Sequence, residues 1–233
     1  MSGELQRASG AMVNVCACCA AGFTSGPGDK APQRRRAAPK TGPRVVPASL
    51  AVPPPQERCA VLTLGHSTRP IDDFLALLRA HLVSCLIDVR TVPRSRHNPQ
   101  FNTETLPGSL AEVNIDYAHA PGLGGFRRTT PESPNAGWRN LSFRGYADYM
   151  QTSDFGSHLA WLIELAGRQK VALMCAEAVP WRCHRSLIAD ALTVHGLVTC
   201  EIAGTARLQR HKLTPFACVR GKAITYPPEA SVS

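Results

Sequence analysis

The chain has no apolar run approaching the roughly 20 residues that a membrane-spanning helix needs, so no membrane partner is expected. Aromatic residues make up only 6% of it, too few to build the stacking platforms that usually hold single-stranded nucleic acid. The nine cysteines are an odd number, and they lack the even spacing of a secreted disulfide framework. They read as mostly reduced thiols in a cytoplasmic protein. No second C-x-x-C or H-x-x-x-H pair accompanies Cys175, Cys183 and His184, so no tetrahedral metal set is expected. Acidic residues are also short, 17 against 26 lysines and arginines, which leaves a formal charge of +9 and a pI near 9.4. That balance favours anionic partners, an anionic small molecule such as a nucleotide or phosphorylated metabolite as much as nucleic acid, and composition alone does not choose among them.

The 233 residues are enough for one α/β domain with a real core. Residues 1–57 hold eight of the nineteen prolines, the run Arg34, Arg35, Arg36 and almost no periodic apolar pattern. They are expected to form a disordered extension outside the domain. Much of the basic charge lies there, which weakens any argument from pI to a basic binding face. The stretch "AMVNVCACCAAGF" is too cysteine-rich and too weakly apolar for an export signal.

From residue 58 to 205 strand-like and helix-like units alternate. "CAVLTLGHS", "SCLIDVR", "NIDYAHA", "KVALMCA" and "LVTCEIAG" read as strands. Between them, "RPIDDFLALLRAHLV" sets Ile71, Phe74, Leu75, Leu78 and Leu82 on one helical face. The segment "FRGYADYMQTSDFGSHLAWLIELAGRQ" reads as two helices, the second starting near Ser153 and Asp154 and burying Phe155, Leu159, Leu162, Ile163 and Leu165, and "HRSLIADALTVHG" is the next. The expected fold is a Rossmann-like three-layer sandwich around a central, mostly parallel five-stranded sheet, with residues 206–233 as a short tail packed on it.

In open parallel sheets ligands bind beyond the carboxyl ends of the strands, and the polar residues of this chain gather there. Gly65, His66 and Ser67 leave the first strand, while Asp88, Arg90, Arg94 and Arg96 leave the second. "PGLGGFRR", with Gly124 and Gly125, follows the third, and Cys175 and Glu177 leave the fourth. Arg182, Cys183, His184 and Arg185 then open a helix whose free N–H groups attract anions. That setting lowers a cysteine pKa and favours a thiolate. The spacing from Cys175 to Arg182 is one residue longer than in a cysteine-phosphatase loop, and Glu177 would repel a substrate phosphate. Cys175, Glu177 and His66 are therefore the candidate nucleophile and acid–base groups. Ser67, Asp88, Arg90, Arg94, Arg96, Gly124, Gly125, Arg182, Cys183, His184 and Arg185 are the candidate ligand contacts. Each also has a plain structural alternative: a buried thiol, a loop ion pair, an ordinary turn.

The blocks "LGHSTRPIDDFLALL", "LIDVRTVPRSRHNPQFN", "YAHAPGLGG", "FRGYADYM" and "VALMCAEAVPWRCHRSLIADAL" together resemble the domain-of-unknown-function 488 family. The resemblance spans about residues 60 to 205. It implies a Rossmann-like fold and a site carried by Asp88, Arg90, Pro93, Cys175, Glu177, Cys183, His184 and Arg185. It supplies no reaction. Three readings follow: an enzyme acting on a nucleotide-like or phosphorylated substrate, a nucleic-acid-binding module using the basic tail and arginine loop, or a cysteine-based redox or metal-responsive regulator. The residues name no cofactor and no oligomeric state.

Overall fold

The computed structural model describes residues 59–228, so the extension expected over 1–57 lies outside the described residues. Within them the chain runs β1 (Val61–Gly65), α1 (Ile71–Ala80), β2 (Cys85–Asp88), α2 (Leu106–Ala111), β3 (Asp116–His119), α3 (Leu141–Tyr149), α4 (Ser153–Arg168), β4 (Val171–Cys175), α5 (Arg185–Val194), β5 (Thr199–Gly204) and β6 (Arg207–Arg210). A hairpin of β7 (Cys218–Arg220) and β8 (Ala223–Thr225) closes the domain. The main sheet has the order β3-β2-β4-β1-β5-β6. Its first five strands are parallel and β6 is antiparallel, so the expected five-stranded sheet gains a sixth strand from the segment read as a tail.

Strand alternation divides the core in two. Leu62, Leu64, Leu86, Ala172 and Met174 face α1 and α2, where Phe74, Leu78, Leu106 and Leu110 pack. Val61, Ile87, Val171 and Leu173 face the other side with Tyr146, Phe155, Leu159, Leu162, Leu187 and Ile188 from α3, α4 and α5. Helix α1 ends earlier than its apolar period suggests. Leu82 is 81% exposed and takes a left-handed φ of 56°, so the chain has already left the helix and Leu77 completes the buried face instead. Helix α4 is capped by Thr152, whose side chain accepts from the Phe155 N–H, one residue before the expected start.

The helix after β1 lies on one face of the sheet and the helix after neighbouring β4 lies on the other. The loops that follow β2 and β4 line a crevice at the carboxyl ends of those two strands.

Two buried aspartates tie the flanking loops and the end of the chain to α3 and α5. Asp148 on α3 accepts from Thr129 Oγ1, the Thr130 amide and hydroxyl, Ser133 Oγ and Asn135 Nδ2. Asp190 on α5 accepts from His211, from the Thr214 amide and hydroxyl, and from the Tyr226 hydroxyl, tying in the end of the chain. Burial opposes the Asp148 charge, but the Ser133, Asn135, Thr130 and Thr129 bonds outweigh it and hold the carboxyl below its ordinary value. Asp148→Asn puts an NH2 among those donors. It is expected to destabilise the fold by about 3 kcal/mol, lowering the melting temperature by about 10 °C. A depressed carboxylate stabilises above its ordinary value of 3.8 and loses that contribution as the pH falls through its folded value. The gap between wild type and variant should therefore close in acid; a constant gap would assign the loss to packing.

Nine cysteines are not all free. Cys59 and Cys200 form a disulfide with their Cα atoms 5.7 Å apart, which corrects the reduced reading for that pair. Cys59 precedes β1, so the crosslink lies toward the opposite end of the sheet from the crevice. Cys85, Cys175, Cys183 and Cys218 are free thiols.

Candidate active site

A cavity of about 330 Å³ opens in the crevice. Its wall takes Arg90, Thr91 and Val92 from the end of β2, Gly125 and Phe126 from the loop after β3, and Ser142 and Phe143 from α3. The rest comes from Cys175, Ala176, Glu177, Arg182, Cys183 and His184. The volume falls within the small-ligand range.

The reactive centre is a cluster of Cys175, Cys183 and His184, whose sulfur and nitrogen atoms all lie within 4.8 Å of one another. Cys175 ends β4, with Gly65 beside it on β1. The chain then loops out through a short 3-10 turn at Pro180–Arg182 and returns Cys183 and His184 at the start of α5. Two contacts hold this loop closed against β1. The His66 and Ser67 amides donate to the carbonyls of Cys175 and Ala176, and a Cβ on Gly65 would stand only 1.9 Å from the Glu177 carbonyl oxygen. Only glycine lets the loop approach that closely.

His184 Nε2 donates to the Val89 carbonyl at 3.1 Å, which turns Nδ1 toward the sulfurs, 3.7 Å from Cys183 Sγ. Gly125 leaves room for the ring, since a Cβ there would lie 2.6 Å from Nδ1. The Cys183 thiol donates to Cys175, the largest cause of a strongly lowered Cys175 pKa. Burial opposes the shift, while His184 and the Glu177 amide add to it. Cys183 is raised correspondingly, because it keeps the proton it shares and is itself buried. The arrangement favours a thiolate on Cys175 and a thiol on Cys183, both at the cavity wall.

The remaining predicted residues separate into groups. Asp88, Arg90 and His66 form a buried network on the α1 and α2 side of the sheet. Arg90 Nε donates to Asp88 Oδ1 at 2.8 Å, Nη2 to Asp88 Oδ2 and to the Phe101 carbonyl, and Nη1 to His66 Nε2 at 3.1 Å. Tyr117 donates to the same aspartate. His66 is 2% exposed, stacks on Phe101 and gives its Nδ1 proton to the Ser67 carbonyl. Burial holds its pKa below the ordinary 6.5. Both ring nitrogens of His66 are engaged and it braces Arg90, and of this network only Arg90 lines the cavity.

Arg94 and Arg96 are exposed and outside the wall, Arg94 pairing with Glu104. Gly124 packs on Thr91, and Ser67 contributes its backbone through a left-handed φ of 51°. Glu177 is exposed at the rim, where its carboxylate accepts from the Val179 amide. Arg182 is the exposed cation of the wall. Arg185 is buried at 1% exposure, donating to the Glu177 carbonyl at 2.7 Å and to Cys183 Sγ at 3.5 Å. It also pairs with Glu201 on β5 at 3.4 Å. Glu201 has no place among the sequence candidates, since a lone acid inside "LVTCEIAG" carries no motif.

The layering, the strand-end crevice and the thiol cluster define a Rossmann-like α/β protein with a cysteine-centred crevice. A family model described as Domain of unknown function DUF488 matches residues 70–192, and the chain belongs to that family. No curated protein and no solved structure matches the chain. No helix among the described residues is long and apolar enough to cross a membrane.

Proposed function

We infer that the protein is a cysteine-dependent enzyme acting on a small anionic substrate, nucleotide-like or phosphorylated, in the Cys175 cavity. The observation that carries this reading is the cluster of Cys175, Cys183 and His184 at the cavity wall, an arrangement that favours a thiolate on Cys175. A thiolate is the nucleophilic form of cysteine. In this reading the Cys175 thiolate bonds to the electrophilic centre as the bond to the leaving group breaks, the Cys183 thiol proton passes to that leaving group directly or through His184 Nδ1, water then cleaves the Cys175 adduct, and Arg182 faces the substrate's charge. Glu177 orders the loop and stands ready as a base for water. The mechanism needs Cys175 and Cys183 as free thiols, which is how the structure holds them.

The test is a screen of mononucleotides and sugar phosphates for turnover by the full chain, followed by Cys175→Ala on any substrate found. Loss of turnover by about a thousandfold or more is the expected outcome. Activity that persists in the variant takes the chemistry away from Cys175.

The same cluster supports a second reading, a metal centre. Two thiols and a histidine whose other nitrogen is bonded to a backbone carbonyl form a recognisable three-ligand zinc arrangement. Elemental analysis separates the two. One equivalent of zinc, with Cys175 shielded from alkylation until a chelator is added, would replace the free-thiolate reading.

A further inference from the structure

A second cavity, of about 320 Å³, lies on the far side of the loop that carries Cys183 and shares no lining residue with the first. The loop divides them: Pro180, Trp181 and Arg185 face the second cavity, while Arg182, Cys183 and His184 face the first. The opposite wall comes from β5, from Gln209 and Arg210 of β6, and from His211, Lys212 and Thr214 beyond it.

Its chemistry is cationic and aromatic. Arg185, Arg210 and Lys212 stand against the single carboxylate of Glu201. That carboxylate is already engaged by Arg185 and by the Thr63 hydroxyl, and burial raises its pKa, which weakens its opposition to an incoming anion. Arg210 and Lys212 are exposed and form no ion pair among the described residues, so their charges are uncompensated. His211 is taken by Asp190. Trp181, 70% exposed, adds an aromatic ring to the same wall.

We propose that this second cavity binds a small phosphorylated aromatic molecule of the nucleoside monophosphate class, with its phosphate at Arg210 and Lys212 and its ring on Trp181. Arginine and lysine supply the phosphate donors, and tryptophan supplies a face that accepts any base. The proposal stands apart from the chemistry of Cys175. Arg185 nevertheless connects the two, because the guanidinium that borders this cavity also donates to the Glu177 carbonyl and to Cys183 Sγ.

The experiment is calorimetric titration of the full chain with AMP, adenosine and inorganic phosphate. AMP should bind saturably, and adenosine and phosphate should each bind at least about tenfold more weakly, the loss of roughly one good contact. The double variant Arg210→Ala/Lys212→Ala should weaken AMP binding at least about tenfold with an unchanged melting temperature, since both side chains are solvent-exposed. Cys175→Ala should bind AMP as wild type does, so failure of the cysteine reading leaves this one standing. Unaltered AMP affinity in the double variant overturns the proposal, as does binding lost in Cys175→Ala, equal affinity for phosphate alone, or binding only to short oligonucleotides.

Discussion

Iodoacetamide should alkylate Cys175 at a nearly constant rate from about pH 8 down to about pH 5. An ordinary thiol slows roughly a thousandfold over the same range, because its thiolate fraction falls tenfold per pH unit below a pKa near 8.5. The difference rests on the lowered Cys175 pKa, whose largest cause is the Cys183 hydrogen bond. Cys183→Ala removes that donor and leaves burial to act with less opposition. The inflection should then climb toward the ordinary value, and the rate at about pH 5 should fall at least about tenfold. Cys183→Ser keeps a donor at the same place and should retain most of the acid-range reactivity, which an effect of packing alone would not do. The reading is taken at the peptide carrying Cys175, and Cys85 does not interfere because burial pushes its pKa up to about 12. An ordinary thiol profile in the wild type, or an unmoved one in Cys183→Ala, would remove the shared proton from the account.

Much of this arrangement was legible in the residues, and what was not has physical causes. Apolar runs closed by glycine or charge located all five parallel strands, and the rule that ligands sit at their carboxyl ends located the crevice. The rule does not say which face of the sheet a strand-end residue takes. His66 follows Leu64 and Asp88 follows Leu86 by two positions, so alternation puts them on the α1 side with Phe101. Cys175 follows Leu173 and lies on the α5 side. Counting that parity would have split the single predicted constellation into a buried Asp88–Arg90–His66 brace and an open thiol cluster. The Cys175–Cys183 contact had no such signal, because the intervening loop returns the chain by a path that spacing does not encode. Strand β6 was missed for the opposite reason. "RLQR" is exposed throughout and lacks an apolar face, its place being fixed by backbone pairing with β5.

Gly65→Ala should be the most damaging single methyl group in the domain. The added Cβ would stand 1.9 Å from the Glu177 carbonyl oxygen, 2.6 Å from its carbon and 2.8 Å from the Ala178 Cα. All three are backbone atoms, so no rotamer change relieves the clash. Relief requires moving the 175–178 segment away from β1, which strains the His66 and Ser67 amide bonds to Cys175 and Ala176. It would also disturb the Arg185 bond to the displaced carbonyl. Overpacking alone costs about 1–3 kcal/mol, and strained backbone bonds add to it, so a loss of about 4 kcal/mol and a melting temperature lower by about 10 °C are expected. Because the Glu177 amide helps hold the Cys175 thiolate, the displaced loop should also raise the pH at which alkylation slows. Gly156→Ala is the control, since a Cβ there meets nothing within 4 Å and its helical site favours alanine. A Gly65→Ala protein that melts like the control and keeps the wild-type alkylation profile would show that the loop tolerates a wider separation, and would leave the thiolate without its β1 support.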